Sequence, residues 1–71
     1  MVRHEIYSHN DKHYLFAIQR DRVTVYPANR YGEATTCTAL YLTLRSKDID
    51  KIVEDFSKEF CNNEPMNKLG D

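Results

Sequence analysis

The sequence predicts an α+β fold: a three- to four-stranded antiparallel β-meander with one C-terminal amphipathic helix packed on one face (ββββα). Short runs of β-branched and aromatic residues, separated by turn-forming residues, fill the first 45 positions. One run, residues 40–45, alternates between leucine and more polar side chains. From position 49 the apolar residues recur every three or four positions, as in a helix. Because a sheet with one apolar face needs a cover, we expect the helix to lie on that face.

The first two predicted strands flank a short turn. Residues 2–8 mix apolar and polar side chains with a strand-like bias, and residues 13–19 are rich in aromatic and branched side chains. Between them, Asn10 and Asp11 carry side chains that bond to the local backbone and tolerate positive φ angles. These features predict a tight connection between neighbouring strands.

A second hairpin is predicted between residues 13–19 and residues 23–26. The later run, Val-Thr-Val-Tyr, is strongly β-prone. The turn falls at one of two overlapping dipeptides, Arg20-Asp21 or Asp21-Arg22, and neither is the favoured Asn-Gly or Asp-Gly. Either choice keeps the same apolar side chains on one face, namely Phe16, Ile18, Val23 and Val25.

The strand that contains residues 23–26 is expected to end at Pro27, because proline cannot donate a hydrogen bond to a β-ladder. Residues 27–36 are then predicted to form an exposed loop, and whether this loop orders only on binding stays open. The next strand covers residues 40–45, and its two faces differ in polarity. Leucines form one face (Leu40, Leu42 and Leu44), and more polar residues form the other (Tyr41, Thr43 and Arg45).

The helix is predicted to begin after Ser46, which is a suitable N-cap, and Asp48 and Asp50 favour the positive end of its dipole. Asn62-Asn63 and Pro65 are expected to end it. One apolar stripe runs along this segment and consists of Ile49, Ile52, Val53, Phe56 and Phe60.

The predicted core joins this stripe to the apolar face of the sheet. Its members would be Ile6, Phe16, Ile18, Val23, Val25, Leu40, Leu42, Leu44, Ile49, Ile52, Val53, Phe56 and Phe60. If so, truncation of Phe56 or Leu42 to alanine should cost about 2–5 kcal/mol of stability. In a chain of 71 residues, that could be most of the free energy of unfolding.

Length and composition limit the classes of protein to which the chain can belong. Its 71 residues suffice for one small domain, expected over residues 1–62, with a flexible C-terminal tail over 63–71. Ten Lys and Arg residues against eleven Asp and Glu residues give a net charge of −1, so the chain is no polycation. No apolar run approaches a membrane span of roughly 18 residues, and no signal-peptide pattern is present, so we expect a cytoplasmic location.

Nucleotide-cofactor motifs are excluded because Gly32 and Gly70 are the only glycines. We expect no cofactor of any other kind.

The histidines and cysteines do not form a metal or catalytic pattern. His9 and His13 are four positions apart but straddle a predicted turn, and there is no Cys-x2-Cys pair, so no metal site is expected. Neither Cys37 nor Cys61 has a neighbouring base and orienting group in sequence, so no catalytic residue is expected. Whether these two cysteines pair with each other stays open.

The sheet face opposite the helix is the most promising binding surface. Tyr and Arg are enriched at the centres of protein interfaces. The predicted partner-binding residues are Tyr7, Leu15, Arg22, Tyr26, Tyr41 and Arg45. We therefore expect a non-catalytic protein-binding module, such as an adaptor, an inhibitor or a regulatory accessory factor. It would bind a protein partner, or a second copy as a homodimer, through this face or through an edge strand.

The alternative is a nucleic-acid-binding module. Residues 1–45 carry a charge of +2 and residues 46–71 a charge of −3, so the sheet is mildly basic. The residues that would contact nucleic acid are Arg20, Arg22, Arg30 and Arg45, together with the tyrosines. The net charge of −1 weakens the attraction for phosphates, which favours the protein-binding hypothesis.

Overall fold

The computed structural model describes residues 2–44 and 48–69. The described chain contains an antiparallel sheet of five strands and one helix, which confirms the predicted α+β fold. In chain order the elements are β1 (Arg3–His9), β2 (Lys12–Ile18), β3 (Arg22–Ala28), β4 (Tyr41–Leu44), α1 (Ile49–Phe60) and β5 (Asn67–Leu69). The strands lie in the order β4-β3-β2-β1-β5, so β4 and β5 form the two edges.

Both predicted hairpins form. Asn10 and Asp11 adopt φ angles of 49° and 65° between β1 and β2, as a type I′ turn requires. The β2–β3 turn is closed by a hydrogen bond of 2.8 Å from the Gln19 N–H to the carbonyl of Arg22. The predicted cross-strand face is confirmed by two pairs, Phe16 with Val25 and Ile18 with Val23.

The core lies between β1–β3 and the helix and is rich in aromatic rings. Phe56 of α1 meets Tyr14 and Phe16 of β2 edge to face, at centroid distances of 5.0 and 5.3 Å. Within the described residues, the buried core consists of Tyr7, Tyr14, Phe16, Ile18, Val23, Val25, Ile52, Phe56 and Cys61. Tyr41, Ile49, Val53 and Met66 pack against it from the rim.

Strand β4 turns its tyrosine face towards the helix, whereas the sequence predicted that its leucine face would lie there. Leu42 pairs with Thr24 and Leu44 with Arg22, and both leucines are exposed. Tyr41 instead lies opposite Val25 on the helix side. The assignment of Leu40, Leu42 and Leu44 to the core is therefore wrong, and so is the large cost expected for truncating Leu42. Alternation shows which residues share a face, but the pairing register decides which face is buried.

Two other predicted core residues lie outside the core. Ile6 pairs with Leu15 on the sheet face away from the helix, where it is half-buried. Phe60, in the last turn of α1, is exposed by 37% and stacks on Phe56 at a centroid distance of 4.5 Å. Ile49 and Val53 are only half-buried at the helix margin.

The helix begins with a side-chain cap and ends at left-handed residues. The predicted cap Ser46 lies outside the described residues, and Asp48 is the N-cap, its carboxylate accepting a hydrogen bond of 3.1 Å from the Lys51 N–H. After Phe60 the chain leaves the helix through Asn62 and Asn63, with φ angles of 52° and 67°. The predicted end of the helix is thus confirmed.

Part of the predicted flexible tail, residues 63–71, forms a strand. Asn67–Leu69 pairs antiparallel with the outer edge of β1, and Lys68 lies 3.5 Å from the Glu5 carboxylate. All three β5 residues are exposed, so backbone pairing rather than apolar periodicity places this strand. No helix in residues 2–44 and 48–69 is long and apolar enough to cross a membrane.

Candidate functional site

The face of the sheet opposite α1 is here called the helix-free face. The strand register places the following residues on it: His4, Ile6, Ser8, His13, Leu15, Ala17, Arg22, Thr24, Tyr26, Ala28, Leu42, Leu44, Asn67 and Leu69. No Asp or Glu occurs among these described strand positions. The face is therefore apolar and weakly basic, whereas the exposed side of α1 is rich in carboxylates.

The connection between β3 and β4 covers part of the helix-free face. The Asn29 side-chain oxygen accepts hydrogen bonds from the N–H groups of Tyr31 and Glu33, which holds the chain in a tight turn. This turn brings Gly32 against Ile6 of β1. A Cβ at position 32 would lie 3.0 Å from Ile6 Cδ1, and its φ of 82° also favours glycine.

A shallow depression remains between this connection and the sheet. Its volume is about 310 Å³, and its lining includes Leu15, Tyr26 and Cys37. The returning chain stays attached to β3 through a hydrogen bond of 2.9 Å from the Thr35 N–H to the Pro27 carbonyl. The middle of the helix-free face is thus largely occupied by the protein's own chain.

The most exposed large apolar side chains of this face lie on strand β4. Leu42 and Leu44 are exposed by 62% and 75%, and Arg22 lies beside Leu44 on the neighbouring strand. These three residues are here called the β4 corner. Together with Asp21 and Thr43 they line an open depression of about 240 Å³.

The predicted partner-binding residues divide between two faces. Leu15, Arg22 and Tyr26 lie on the helix-free face, as expected. Tyr7 and Tyr41 lie under the helix, so their assignment to the opposite face is wrong. Arg45 lies outside the described residues.

Tyr7 is held in the core by its ring and its hydroxyl group. Its ring packs edge to face on Phe16 at 4.9 Å, and its hydroxyl donates a hydrogen bond of 2.8 Å to Glu5. Burial raises the pKa of Tyr7 well above its ordinary value, and the neighbouring Glu5 carboxylate raises it further. Tyr7 therefore serves the fold as a neutral phenol.

Leu42 and Leu44 are the exposed residues that sequence reasoning assigned to the wrong face. Their alternation with Tyr41 and Thr43 is visible in the sequence. The register that turns them outward is set by contacts such as the 2.8 Å hydrogen bond from the Leu40 N–H to the Val25 carbonyl. This contact follows a long connection, and no local sequence signal encodes it.

Among the arginines proposed for nucleic-acid binding, the three that the structure describes do not all lie together. Arg20 lies in the turn before β3, Arg22 begins β3, and Arg30 follows its end, which puts about 20 Å of strand between Arg22 and Arg30. Arg22 pairs with Asp21 at 3.3 Å, and the Arg30 guanidinium lies 5.2 Å from the Tyr31 ring centroid. Arg45 lies outside the described residues.

The histidine and cysteine side chains do not form a shared site in the described part of the chain. His9 Nε2 lies 2.6 Å from a Glu64 carboxylate oxygen, which links β1 to the segment after the helix. Cys61 is buried in the core, and this burial raises the pKa of its thiol. Cys37 is exposed, and both cysteines are free thiols. Within residues 2–44 and 48–69, no group of three or more potential metal ligands comes together.

Comparisons with protein-family models, with curated proteins and with solved structures all give no match for this chain. The features that bear on function are therefore those of the described residues. They are an α+β fold, a helix-free face partly covered by its own loop, and an exposed apolar corner at edge strand β4.

Proposed function

We propose that this chain is a small, non-catalytic protein-binding module, acting as an adaptor, an inhibitor or a regulatory accessory factor, and that its contact surface is the β4 corner. The observation that carries this proposal is the exposure of Leu42 and Leu44 on an edge strand. Covering one leucine side chain stabilises a complex by roughly 1.5–3 kcal/mol when the side chain becomes fully buried.

The edge position of β4 also favours the binding of a partner protein. An edge strand presents backbone donors and acceptors that a partner strand can use, and natural proteins usually protect such edges with charges. The four residues Tyr41–Leu44 carry no charged side chain. Apolar side chains and an unprotected edge at the same place are typical of a protein-interaction site.

The nucleic-acid alternative has less support from the geometry. Phosphate binding depends on several cations acting together. Arg22 is paired with Asp21, and Arg30 lies beyond the other end of β3, so within the described residues Arg22 and Arg30 do not form a joint phosphate site. The free thiols of Cys37 and Cys61 are compatible with a reducing compartment, and we propose a cytoplasmic location.

Site-specific photo-crosslinking in the source cell tests the proposed function. The photoreactive residue p-benzoylphenylalanine replaces Leu42 in one variant and Glu59, an exposed residue of α1, in the matched control. We expect a protein adduct of defined mass from position 42 and none from position 59. Equal adducts from both positions, no adduct from position 42, or an adduct with nucleic acid would contradict the proposal.

A folding control accompanies this experiment. Because Leu42 and Glu59 are both exposed, we expect both variants to melt within a few degrees of the unmodified chain. Circular dichroism during heating measures this. If a variant keeps its melting temperature but gives no adduct, the variant is folded and the result contradicts the β4 corner as the contact surface.

A further inference from the structure

We propose that the outer edge of β1 is a second protein-contact surface, on which an extended segment of a partner protein displaces β5 and places lysine or arginine side chains beside Glu5. Strand β5 is then a resident occupant of this edge that competes with the partner. The inference is separate from the β4 corner. It depends on how β5 is held, on how much of β1 it covers, and on the charges at the helix side of this edge.

Strand β5 is attached to β1 without burying its own side chains. Its three residues, Asn67–Leu69, are all exposed, and they pair with Ile6–Ser8 of β1. The Lys68 ammonium group adds an ion pair of 3.5 Å with the Glu5 carboxylate. Segments with few buried apolar contacts open locally at a low cost in free energy. Strand β5 can therefore leave β1 while the core between the sheet and α1 stays packed.

The Glu5 carboxylate keeps other partners when β5 leaves. One of its oxygens accepts a hydrogen bond of 2.8 Å from the Tyr7 hydroxyl, and the other lies 3.2 Å from the Arg3 guanidinium. The Glu5 side chain is only 12% exposed, and a carboxylate at such a position is costly without a partner. Because Tyr7 and Arg3 remain, Lys68 can be exchanged for another cation without leaving Glu5 unpaired.

Strand β5 covers only part of the edge that β1 offers. Strand β1 extends over the seven residues Arg3–His9, whereas β5 pairs with Ile6–Ser8 alone. In the described part of the chain, no strand pairs with the outer side of residues 3–5. A longer segment can begin to pair there and then replace β5, and it gains backbone hydrogen bonds that β5 does not make.

A second copy of the chain is a less favourable occupant than a longer partner segment. Exchange of β5 between two copies would only reproduce the contacts that one chain already makes with itself. Association would still cost translational and rotational freedom. The extra pairing along β1 that a longer segment provides can offset this cost.

The resident strand shows which side chains this edge accepts on each face. Lys68 lies opposite Tyr7 and beside Glu5, on the helix side of the sheet. Leu69 lies opposite Ile6, on the helix-free face. Side chains alternate between the two faces of a strand. A partner segment that alternates apolar residues with cations therefore places both kinds of side chain as β5 does.

The charges on the helix side favour cations over carboxylates at this edge. Burial raises the pKa of Tyr7, and the negative charges of Glu5 and Asp50 raise it further, so both carboxylates act at the same place. Arg3 and Lys68 are the cations that pair with Glu5. When Lys68 leaves, one of these two negative charges is no longer balanced. A segment with carboxylates at the same positions would be repelled by Glu5.

Synthetic peptides added to the full chain test the inference. The lysine peptide, Ser-Val-Lys-Val-Lys-Val-Ser, matches the seven residues of β1 and places its lysines opposite Glu5 and Tyr7. The glutamate peptide has glutamate in place of both lysines. A third peptide has the lysine sequence with methyl groups on the backbone nitrogens that would face β1, which removes its ladder donors. Fluorescence anisotropy measures affinity, and amide chemical shifts and hydrogen exchange locate the binding site.

We expect the lysine peptide to bind at least tenfold more tightly than either control, with the largest amide shifts in Arg3–His9. Because the peptide replaces β5, it should also speed hydrogen exchange at the amides of Asn67–Leu69. Slower exchange at these amides would show addition outside β5 and would overturn the inference. Equal affinity for all three peptides, or shifts centred on Tyr41–Leu44, would also overturn it.

A charge reversal in β5 tests the competition between β5 and the partner. Lys68→Glu places a carboxylate beside Glu5 and weakens the hold of β5, so it should raise affinity for the lysine peptide at least threefold. Lys58→Glu makes the same change of charge at an exposed position of α1 and should leave affinity within twofold. Equal effects of the two variants would overturn the inference.

A second variant tests the role of Glu5. Glu5→Gln keeps an oxygen acceptor for Tyr7 but removes the charge, so the preference for the lysine peptide over the glutamate peptide should fall below threefold. An unchanged preference would overturn the inference. Thermal melts check that each variant is folded, and Lys68→Glu, at an exposed position, keeps the test decisive if Glu5→Gln does not fold.

The remaining outcomes separate this inference from the proposed function. An adduct at position 42 with no binding of the lysine peptide would leave the β4 corner standing and reject the β1 edge. Binding of the lysine peptide at β1 with no adduct at position 42 would do the reverse. Sedimentation that shows a dimer which the lysine peptide dissociates would identify the C-terminal strand of a second copy as the occupant, and would overturn the inference.

Discussion

Phe56 joins the helix to strands β2 and β4 of the sheet. Its ring contacts Tyr14 and Phe16 of β2, and Tyr41 of β4 meets it at a centroid distance of 5.7 Å. Phe60 then stacks on its outer side. Because one ring contacts two strands and its own helix, its removal would leave a cavity that no single neighbour can fill.

We expect Phe56→Ala to lower the free energy of unfolding by about 3–5 kcal/mol, because a fully buried aromatic ring is lost. Phe60→Ala is the matched control, since this ring is partly exposed, and it should cost less than half as much. Urea denaturation followed by circular dichroism measures both values. Similar losses for the two variants would contradict this account of the core.

We expect Leu42→Ala to change the free energy of unfolding by no more than about 0.5 kcal/mol, because the side chain is mostly in solvent. Ile52→Ala, at a buried position on the helix, should cost about 2–5 kcal/mol. The same urea experiment compares them. A cost above about 2 kcal/mol for Leu42→Ala would place this leucine in the core and remove the basis of the β4 corner.

At the scale of single elements, the start of the helix depends on one side chain. The Asp48 carboxylate accepts the Lys51 N–H, one of the donors that a helix leaves unpaired at its N-terminus. Asp50 adds a second negative charge to the first turn, where it interacts favourably with the helix dipole. A helix of 12 residues has few other means of fixing its first turn.

We expect Asp48→Ala to cost about 1 kcal/mol of stability through loss of this cap. Asp48→Asn keeps an oxygen acceptor and should retain most of the stability. Thermal melts of the two variants at neutral pH measure the difference. If alanine and asparagine lowered the melting temperature equally, the charge of Asp48, and not its hydrogen bond, would be the stabilising feature.

The elements also differ in how far the sequence predicts them. The β1–β2 turn follows from Asn10 and Asp11, whose side chains act on their own backbone. The helix follows from its apolar spacing and its stop signal. Strand β5 has neither kind of signal, because its three exposed residues are placed by backbone pairing with β1. Local chemistry is visible in a sequence, whereas the position of β4 at the edge of the sheet exists only in the folded structure.

At the scale of the whole molecule, the core buries groups that must stay protonated. Burial raises the pKa values of Tyr7, Tyr14 and Cys61, and the Glu5 carboxylate adds to the effect on Tyr7. A raised pKa in the folded state means that the folded protein holds its proton where the unfolded chain has lost it. These groups make their full contribution to stability when the pH is below their pKa values in the unfolded chain, which are about 8.5 for cysteine and about 10 for tyrosine.

We therefore expect the free energy of unfolding to be level near pH 7–8, to fall above about pH 8.5, and to fall more steeply above about pH 10. Tyr7→Phe should make the decline above about pH 10 shallower, because one titrating group is removed. Tyr31→Phe, which removes a tyrosine hydroxyl at an exposed position, is the control. Urea denaturation midpoints measured between about pH 7 and 11 follow the change in stability. If the stability of both variants fell equally steeply above about pH 10, the role assigned to Tyr7 would be contradicted.

The sequence by itself determined the fold class, the two hairpins, the end of the helix and the shared face of Phe16 and Val25. These features depend on local turn chemistry and on periodicity within short segments. Only the tertiary structure decided that Tyr41 faces the helix and that Leu42 faces solvent. An alternating pattern shows which residues of a strand share a face, but it does not show which of the two faces is buried. The choice between them is made by the β3–β4 register and by the aromatic rings already on the helix side, and both arise only when distant segments pack together.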